Sequence, residues 1–180
     1  MIPGRILYRV RQFWNALFLV PSRDDLELVT QELTTEQMFL FRQMHRSEQA
    51  HSLRVMRAVM NASDIFSVEQ RKYLRQAALL HDVGKTRFPL RLWERVLIVL
   101  VKALMPDSLH EWGEGEPRGW RRAFVVARQH PLWGAQMAAE AGSPPLAVSL
   151  IERHQELLDP AAETLEDRLL RLLQSADHQV

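Results

Sequence analysis

The apolar positions of this chain recur at helical spacing, and the alternation that marks a β-strand is nearly absent. Residues 6–20 place Ile6, Val10 and Leu17 on one face, with arginines on the others. Glycine and proline cluster between segments of this kind, where helices end. The pattern therefore predicts an all-α fold, a single helical bundle with an extra amphipathic helix at its N-terminus.

Start and stop signals divide the rest of the chain into helices. Thr34 with Gln37 and Ser67 with Gln70 have the spacing of capping boxes, so each pair opens a helix. Gly84 is a natural stop for the second of these helices. Further helices are predicted around His51 and over 89–105, 118–129, 131–142, 145–156 and 165–177, with a loop over 106–117.

Composition bounds the function. The 180 residues suit one domain, which we divide into an N-terminal docking helix, 1–22, and a main body, 23–180. A net charge of +1 gives no reason to expect a nucleic-acid partner. The absence of cysteine excludes disulfides, zinc-thiolate sites and cysteine nucleophiles. We expect the basic N-terminal helix to pack on its own domain or a partner chain, such as a second copy, in preference to an anionic membrane surface.

No apolar run is long enough to cross a bilayer. The longest, 96–101, ends at Lys102, far short of about 20 residues. Arg9 and Arg11 interrupt the N-terminal apolar stretch, so it does not have the form of a secretory signal. We expect a cytoplasmic protein.

His81 and Asp82 are adjacent at the end of an apolar helical segment. An imidazole beside a carboxylate suits a divalent metal such as Mn, Fe, Co, Zn or Mg. A metal at such a site can lower the pKa of a bound water and stabilise phosphoryl oxygens. The alternative is a histidine and a capping aspartate at a helix C-terminus. The other candidate ligands are His51, His130, His154 and Asp177.

The order His51, His81-Asp82, Asp177 resembles the signature of the HD superfamily of metal-dependent phosphohydrolases, as do the stretches HSLRV at 51–55 and HDVGK at 81–85. His130 in HPLWG and His154 in RHQE resemble the binuclear subgroup that includes HD-GYP domains. The chain departs from that subgroup, because 157–160 read LLDP and no Gly-Tyr-Pro motif occurs. Ser47 replaces a glutamate that can serve a third metal, so we expect no third metal.

The resemblance implies two divalent metal ions. His51, His81, Asp82 and Asp177 would hold the first, and the second would share Asp82 and add His130 and His154. A hydroxide held by the metals would attack phosphorus. Asp82 and Lys85 would be catalytic, and the phosphate contacts would come from Lys85, Arg54, Arg128 and Arg153. Each residue also has a purely structural alternative. The histidines could bond to backbone carbonyls, Lys85 could interact with a helix C-terminus, and the arginines could form ordinary ion pairs.

The favoured function is a metal-dependent phosphohydrolase that cleaves a phosphomonoester or phosphodiester, with a nucleotide as the expected substrate. The second hypothesis is a catalytically silent HD domain that binds metal and serves as a sensor or scaffold. Its contacts would be the N-terminal helix and the insert over 86–129, which could instead form a lid. A third is a metal-dependent hydrolase or oxygenase that acts on non-phosphate substrates. Oxidative chemistry at two irons rests on fold analogy alone. Six intact ligands favour the enzyme.

Overall fold

The computed structural model describes residues 20–62, 65–105, 108, 111–159, 161 and 164–180. Over these residues the chain forms eight α-helices and two 3₁₀ helices, with no strand, which confirms the all-α class. The α-helices are α1 (Arg23–Glu32), α2 (Thr35–Gln43), α3 (Arg46–Ala62), α4 (Val68–Leu80), α5 (Leu92–Leu104), α6 (Arg122–Glu140), α7 (Pro145–Arg153) and α8 (Leu165–Gln179), and the 3₁₀ helices are Val83–Arg87 and Gly119–Arg121.

The helix predicted over 6–20 lies outside the described residues, except for its last position. Among the helices that are described, none has the length and apolar character needed to cross a membrane.

Capping explains where several helices begin. The two predicted capping boxes are confirmed, because Thr34 and Ser67 each accept a hydrogen bond from the backbone three residues on. Helix α1 was not predicted, although Ser22 and Asp25 form a capping box that opens it. The signal was present in the sequence as a serine followed three residues later by an acidic residue.

The prediction of separate helices over 118–129 and 131–142 is wrong. Residues Arg122–Glu140 form one continuous helix, α6, with Pro131 inside it. A proline removes one N–H, the donor that would reach the carbonyl of Ala127. That carbonyl instead accepts a hydrogen bond from the ring of His130, and buried side chains on both sides of Pro131 pack the helix in place. Tertiary packing therefore overrides the local preference of proline.

Gly84 does not end α4 as predicted. The helix ends at Leu80 with His81 as its C-cap, and Gly84 lies within the 3₁₀ helix that follows. The position is glycine because α6 lies directly against it. A Cβ on Gly84 would stand 2.0 Å from the carbonyl oxygen of His130, so no side chain fits.

One large apolar core joins most of the helices, and α5 packs beside it. The largest fully buried side chains of the core come from α2, α3, α4, α7 and α8: Phe41, Leu53, Met56, Leu74, Leu79, Leu80, Leu150, Ile151, Leu169, Leu170 and Leu173. A smaller cluster joins Ile98 and Val101 of α5 to Phe124 of α6. Arg122 also donates to both carboxylate oxygens of buried Glu94, at 2.6 and 2.7 Å. These contacts fix α5 to α6.

Candidate metal centre

Three buried histidines share one local geometry. His81 and His154 cap the C-termini of α4 and α7, and His130 lies inside α6. Each Nδ1 hydrogen-bonds to a backbone carbonyl three residues earlier, with distances of 2.9 Å from His81 to Ala78, 3.0 Å from His130 to Ala127 and 2.7 Å from His154 to Ile151. A carbonyl only accepts, so Nδ1 carries a proton in each ring and Nε2 is the nitrogen left to bind a cation.

The three Nε2 atoms are buried together. His81, His130 and His154 are 1%, 1% and 3% exposed, and the ring of His154 lies 5.1 Å, centroid to centroid, from each of the other two. Within the described residues, none of these Nε2 atoms has a hydrogen-bond partner. Leaving a buried polar atom unpaired is costly, whereas bound metal cations would satisfy all three.

Two aspartates complete the cluster. Asp82 Oδ1 lies 3.2 Å from His130 Nε2 and 3.7 Å from His81 Nε2. Asp177 Oδ1 lies 2.7 Å from His51 Nε2 and 3.6 Å from His81 Nε2. The structure therefore brings together all six residues that the sequence suggested as ligands.

The six residues fall into two groups, one of His51, His81 and Asp177 and the other of Asp82, His130 and His154. In each group the potential ligand atoms lie within 4.8 Å of one another. His81 and Asp82 are neighbours in the chain and connect the groups. The donor set, four imidazoles and two carboxylates, fits divalent cations of the first transition series. The assignment of individual ligands to individual ions stays a prediction.

The two carboxylates of the cluster stay ionised. Burial by itself would raise the pKa of Asp82, but Lys85 and His81 outweigh it and hold that pKa well below its ordinary value. Burial opposes ionisation of Asp177 too, and His51 and His81 lower its pKa strongly. The centre therefore presents two negative charges to whatever lies between the histidines.

The pKa values of the buried histidines are shifted in opposite directions. Burial would lower the pKa of His81, but Asp82 and Asp177 raise it to about 9. For His130 and His154 burial lowers the pKa, and the neighbouring cationic groups lower it further. Without a metal, His81 thus carries the positive charge that the aspartates require, while His130 and His154 are neutral imidazoles, the form that binds a metal.

Lys85 belongs to the same network. It lies in the 3₁₀ helix, and its Nζ donates to Asp82 Oδ2 at 2.7 Å. Burial would lower its pKa, but the charges of Asp82 and Glu48 raise it, so the side chain is a cation. One oxygen of Asp82 therefore faces the lysine and the other faces His81 and His130.

Comparison with known families agrees with this geometry. The profile of the HD domain matches residues 49–178, well over half of the chain. The chain belongs to the HD domain family. The matched range contains all six candidate ligands and begins within α3, so α1 and α2 precede it. No curated protein and no solved structure matches the chain.

A cleft of about 170 Å³ opens beside the candidate ligands of this HD domain. His130 and Lys85 line it, together with Arg95 and Lys102 of α5. The insert predicted as a lid or partner surface thus supplies a wall of the cleft. Glu48 lies there too, its carboxylate 2.8 Å from the Arg95 guanidinium.

Sequence reasoning missed Glu48 and Arg95. Glu48 precedes His51 by three residues, so helical spacing alone could have placed it on the ligand face of α3. Arg95 gave no local signal, because its contact depends on how α5 packs in three dimensions.

The three arginines predicted to bind phosphate lie in different surroundings. Arg153 donates to Glu156, Glu166 and Asp167, which ties the end of α7 to α8. Arg128 lies 2.8 Å from Glu114. For both of them a phosphate contact stays a prediction without support from these contacts.

Arg54 of the HD domain differs from the other two. Its Nε and Nη2 atoms are buried, and no described residue accepts a hydrogen bond from them. Burial lowers the pKa of the guanidinium, although an arginine stays charged. Arg54 follows His51 by one helical turn. Unsatisfied donors so close to a candidate ligand favour an anion as their partner.

Proposed function

We propose that this HD domain is a metal-dependent phosphohydrolase that cleaves a phosphomonoester or phosphodiester. The observation that carries the proposal is the convergence of three buried Nε2 atoms, none with a hydrogen-bond partner among the described residues, beside two ionised aspartates. A purely structural histidine cluster would pair these atoms with protein groups, since a buried unpaired acceptor is costly. Donors of this kind, held in place by hydrogen bonds from the opposite ring nitrogen, are typical of a metal site.

The residues that would hold the metals follow from the two groups. His51, His81 and Asp177 would hold one divalent cation, and Asp82, His130 and His154 would hold the other. Asp82 would be the shared residue; its Oδ1 lies 3.7 Å from His81 Nε2 and 3.2 Å from His130 Nε2, which supports this assignment. Divalent cations supply Lewis-acid chemistry, which activates water and offsets charge on phosphoryl oxygens.

The cationic side chains would bind and orient the phosphate. Lys85 fixes Asp82 through Oδ2 and also lines the cleft, so one ammonium group can position a candidate ligand and contact a phosphate oxygen. Arg54 offers two buried N–H donors on the turn that follows His51. The role of each side chain is therefore to hold charge where the phosphate would lie.

Hydrolysis of generic esters tests the proposal. Protein purified without chelator and supplied with Mn²⁺ should hydrolyse p-nitrophenyl phosphate or bis-p-nitrophenyl phosphate. Asp82→Asn should lose about 1,000-fold or more in kcat, the scale for removing one charged catalytic group. Asp24→Asn, which changes an exposed aspartate of α1, should keep full activity.

The same experiment separates the enzyme from the sensor. A chain that binds metal but hydrolyses none of these esters, nor a panel of nucleotides, would overturn the proposal and favour the sensor or scaffold. Circular dichroism of Asp82→Asn should match the wild type, so a loss of helix would mean that the variant tests folding instead.

A further inference from the structure

The cleft beside the metal centre has a charged side. Lys85 and His130 line it, as do Arg95 and Lys102 of α5. Arg95 is balanced by Glu48, whose carboxylate is 2.8 Å away, so that pair adds little net charge. Lys85 donates to the candidate ligand Asp82 and also lines the cleft, so the part of the cleft beside Lys85 and His130 is where an anionic phosphate would lie.

The rest of the cleft is lined by apolar side chains. Its remaining wall consists of Leu90, Ile98, Val99 and Ala127, all of them aliphatic. Among the described residues no Phe, Tyr or Trp belongs to the lining, and its uncharged polar side chains are Gln155 and the candidate metal ligand His130. A nucleobase is bound by stacking on aromatic rings and by hydrogen bonds to its edges. An aliphatic wall instead favours an apolar group, because burial removes that group from water.

The apolar surface continues beyond the cleft. Val99 lies three residues from Val96, and positions with this spacing are neighbours on a helix. Val96 in turn lies one turn from both Leu92 and Leu100, which are 48% and 37% exposed. Trp93 and Leu104 on the same side are also exposed. These positions therefore form an exposed apolar face of α5 next to the cleft.

We propose that the substrate is an amphiphile, a phosphate ester of an apolar alcohol. Its phosphate would lie between the metal centre and Lys85, and its alkyl or aryl group would lie against Ile98 and Val99. The volume of about 170 Å³ supports this assignment, since cavities of about 150 Å³ accept a benzene-sized group. The inference rests on the proposed function for the position of the phosphate, and it adds the class of the alcohol.

Binding of non-hydrolysable alkylphosphonates tests the inference without turnover. The full chain loaded with Mn²⁺ is titrated calorimetrically with phosphonates from methyl to octyl. The affinity should rise about fourfold for each added methylene until the wall is covered, the effect of burying one CH₂. Val99→Ser should flatten this dependence. Val68→Ser, the same change on an exposed valine of α4, should leave it unchanged.

A comparison of turnover distinguishes failure of this inference from failure of the proposed function. With hexyl phosphate and adenosine monophosphate as substrates, we expect the larger kcat/KM for hexyl phosphate. If the protein hydrolyses adenosine monophosphate and its affinity for the phosphonates does not depend on chain length, the amphiphilic substrate is ruled out. The proposed phosphohydrolase activity is then retained. A steep phosphonate series without hydrolysis of any ester would overturn the enzyme and retain the apolar site.

Discussion

Gly84 and Gly134 lie against each other with no side chain between them. A Cβ on Gly84 would stand 2.6 Å from the amide nitrogen of Gly134, and one on Gly134 would stand 3.1 Å from the amide nitrogen of Gly84. Gly84 follows Asp82 by two residues, and Gly134 follows His130 by four. The contact of the two glycines therefore sets the spacing between two ligand-bearing segments that are distant in the sequence.

Replacing Gly84 with alanine tests this contact. The new methyl group would collide with backbone, including the His130 carbonyl at 2.0 Å, and backbone cannot move aside as a side chain can. We expect Gly84→Ala to lower the free energy of unfolding by about 3 kcal/mol, the upper range for overpacking, and to reduce bound metal. Urea unfolding and elemental analysis measure the two effects.

Gly115→Ala is the matched control for that variant. Gly115 has a φ of +89° and open space around it, so alanine there should cost about 1 kcal/mol in backbone strain and leave the metal content unchanged. Equal destabilisation by the two substitutions would contradict a specific role for the glycine contact.

His130→Ala should change the number of bound metals. The wild type is expected to hold about two metal ions per chain and the variant about one, because His130 belongs to the group that contains Asp82 and His154. Elemental analysis of untagged protein gives the stoichiometry. His178→Ala is the control, since the exposed His178 bonds to the carbonyl of Gln174, and it should bind as the wild type does. One metal in all three proteins would remove His130 and His154 from the ligand set.

Pro131→Ala should move stability and metal affinity in opposite directions. Alanine restores an N–H that competes with the His130 ring for the Ala127 carbonyl. The helix gains a hydrogen bond and loses an interior proline, so the melting temperature should rise. The ring of His130 loses part of its hydrogen bonding, so metal affinity should fall by about tenfold, as for other groups that orient a metal ligand.

Thermal melting and metal titration separate these two effects. Leu132→Ala, at a neighbouring exposed position of α6, should change neither by a comparable amount. An unchanged metal affinity in Pro131→Ala would show that the proline has no part in orienting His130.

Arg54→Met should weaken phosphate binding without unfolding the protein. The buried Nε and Nη2 atoms have no acceptor in the described structure, so removing the charge should leave the stability unchanged or raise it. If these groups bind phosphate, the inhibition constant for inorganic phosphate should rise about tenfold or more. Steady-state inhibition and a thermal melt measure both.

Arg57→Met on the same helix is the matched control for Arg54. Arg57 forms an exposed ion pair with Asp25, and such pairs contribute about 0–1 kcal/mol. Its loss should not affect phosphate inhibition. An inhibition constant for inorganic phosphate that is the same in Arg54→Met and Arg57→Met would contradict a binding role for Arg54.

The helices and the ligands could be predicted because their signals are local. Capping boxes at Thr34 and Ser67 fixed two helix starts, and apolar spacing identified the all-α class. The six candidate ligands were found through short local motifs that resemble those of the HD superfamily. Helix boundaries near Pro131 and Gly84 were wrong, because both positions are controlled by contacts with distant residues.

The sequence by itself determined the fold class, the family resemblance and the identity of the six residues, since these depend on residue type and near-neighbour spacing. Only the tertiary structure decided that the residues meet. It brought three Nε2 atoms together, although each Nδ1 is held by a local bond to the carbonyl three residues earlier, and it left Nε and Nη2 of Arg54 without an acceptor among the described residues. It also placed α5 beside the candidate ligands, where Ile98 and Val99 form part of the aliphatic lining of the cleft. Such arrangements depend on long-range packing, in which a side chain's partner lies far away in the sequence.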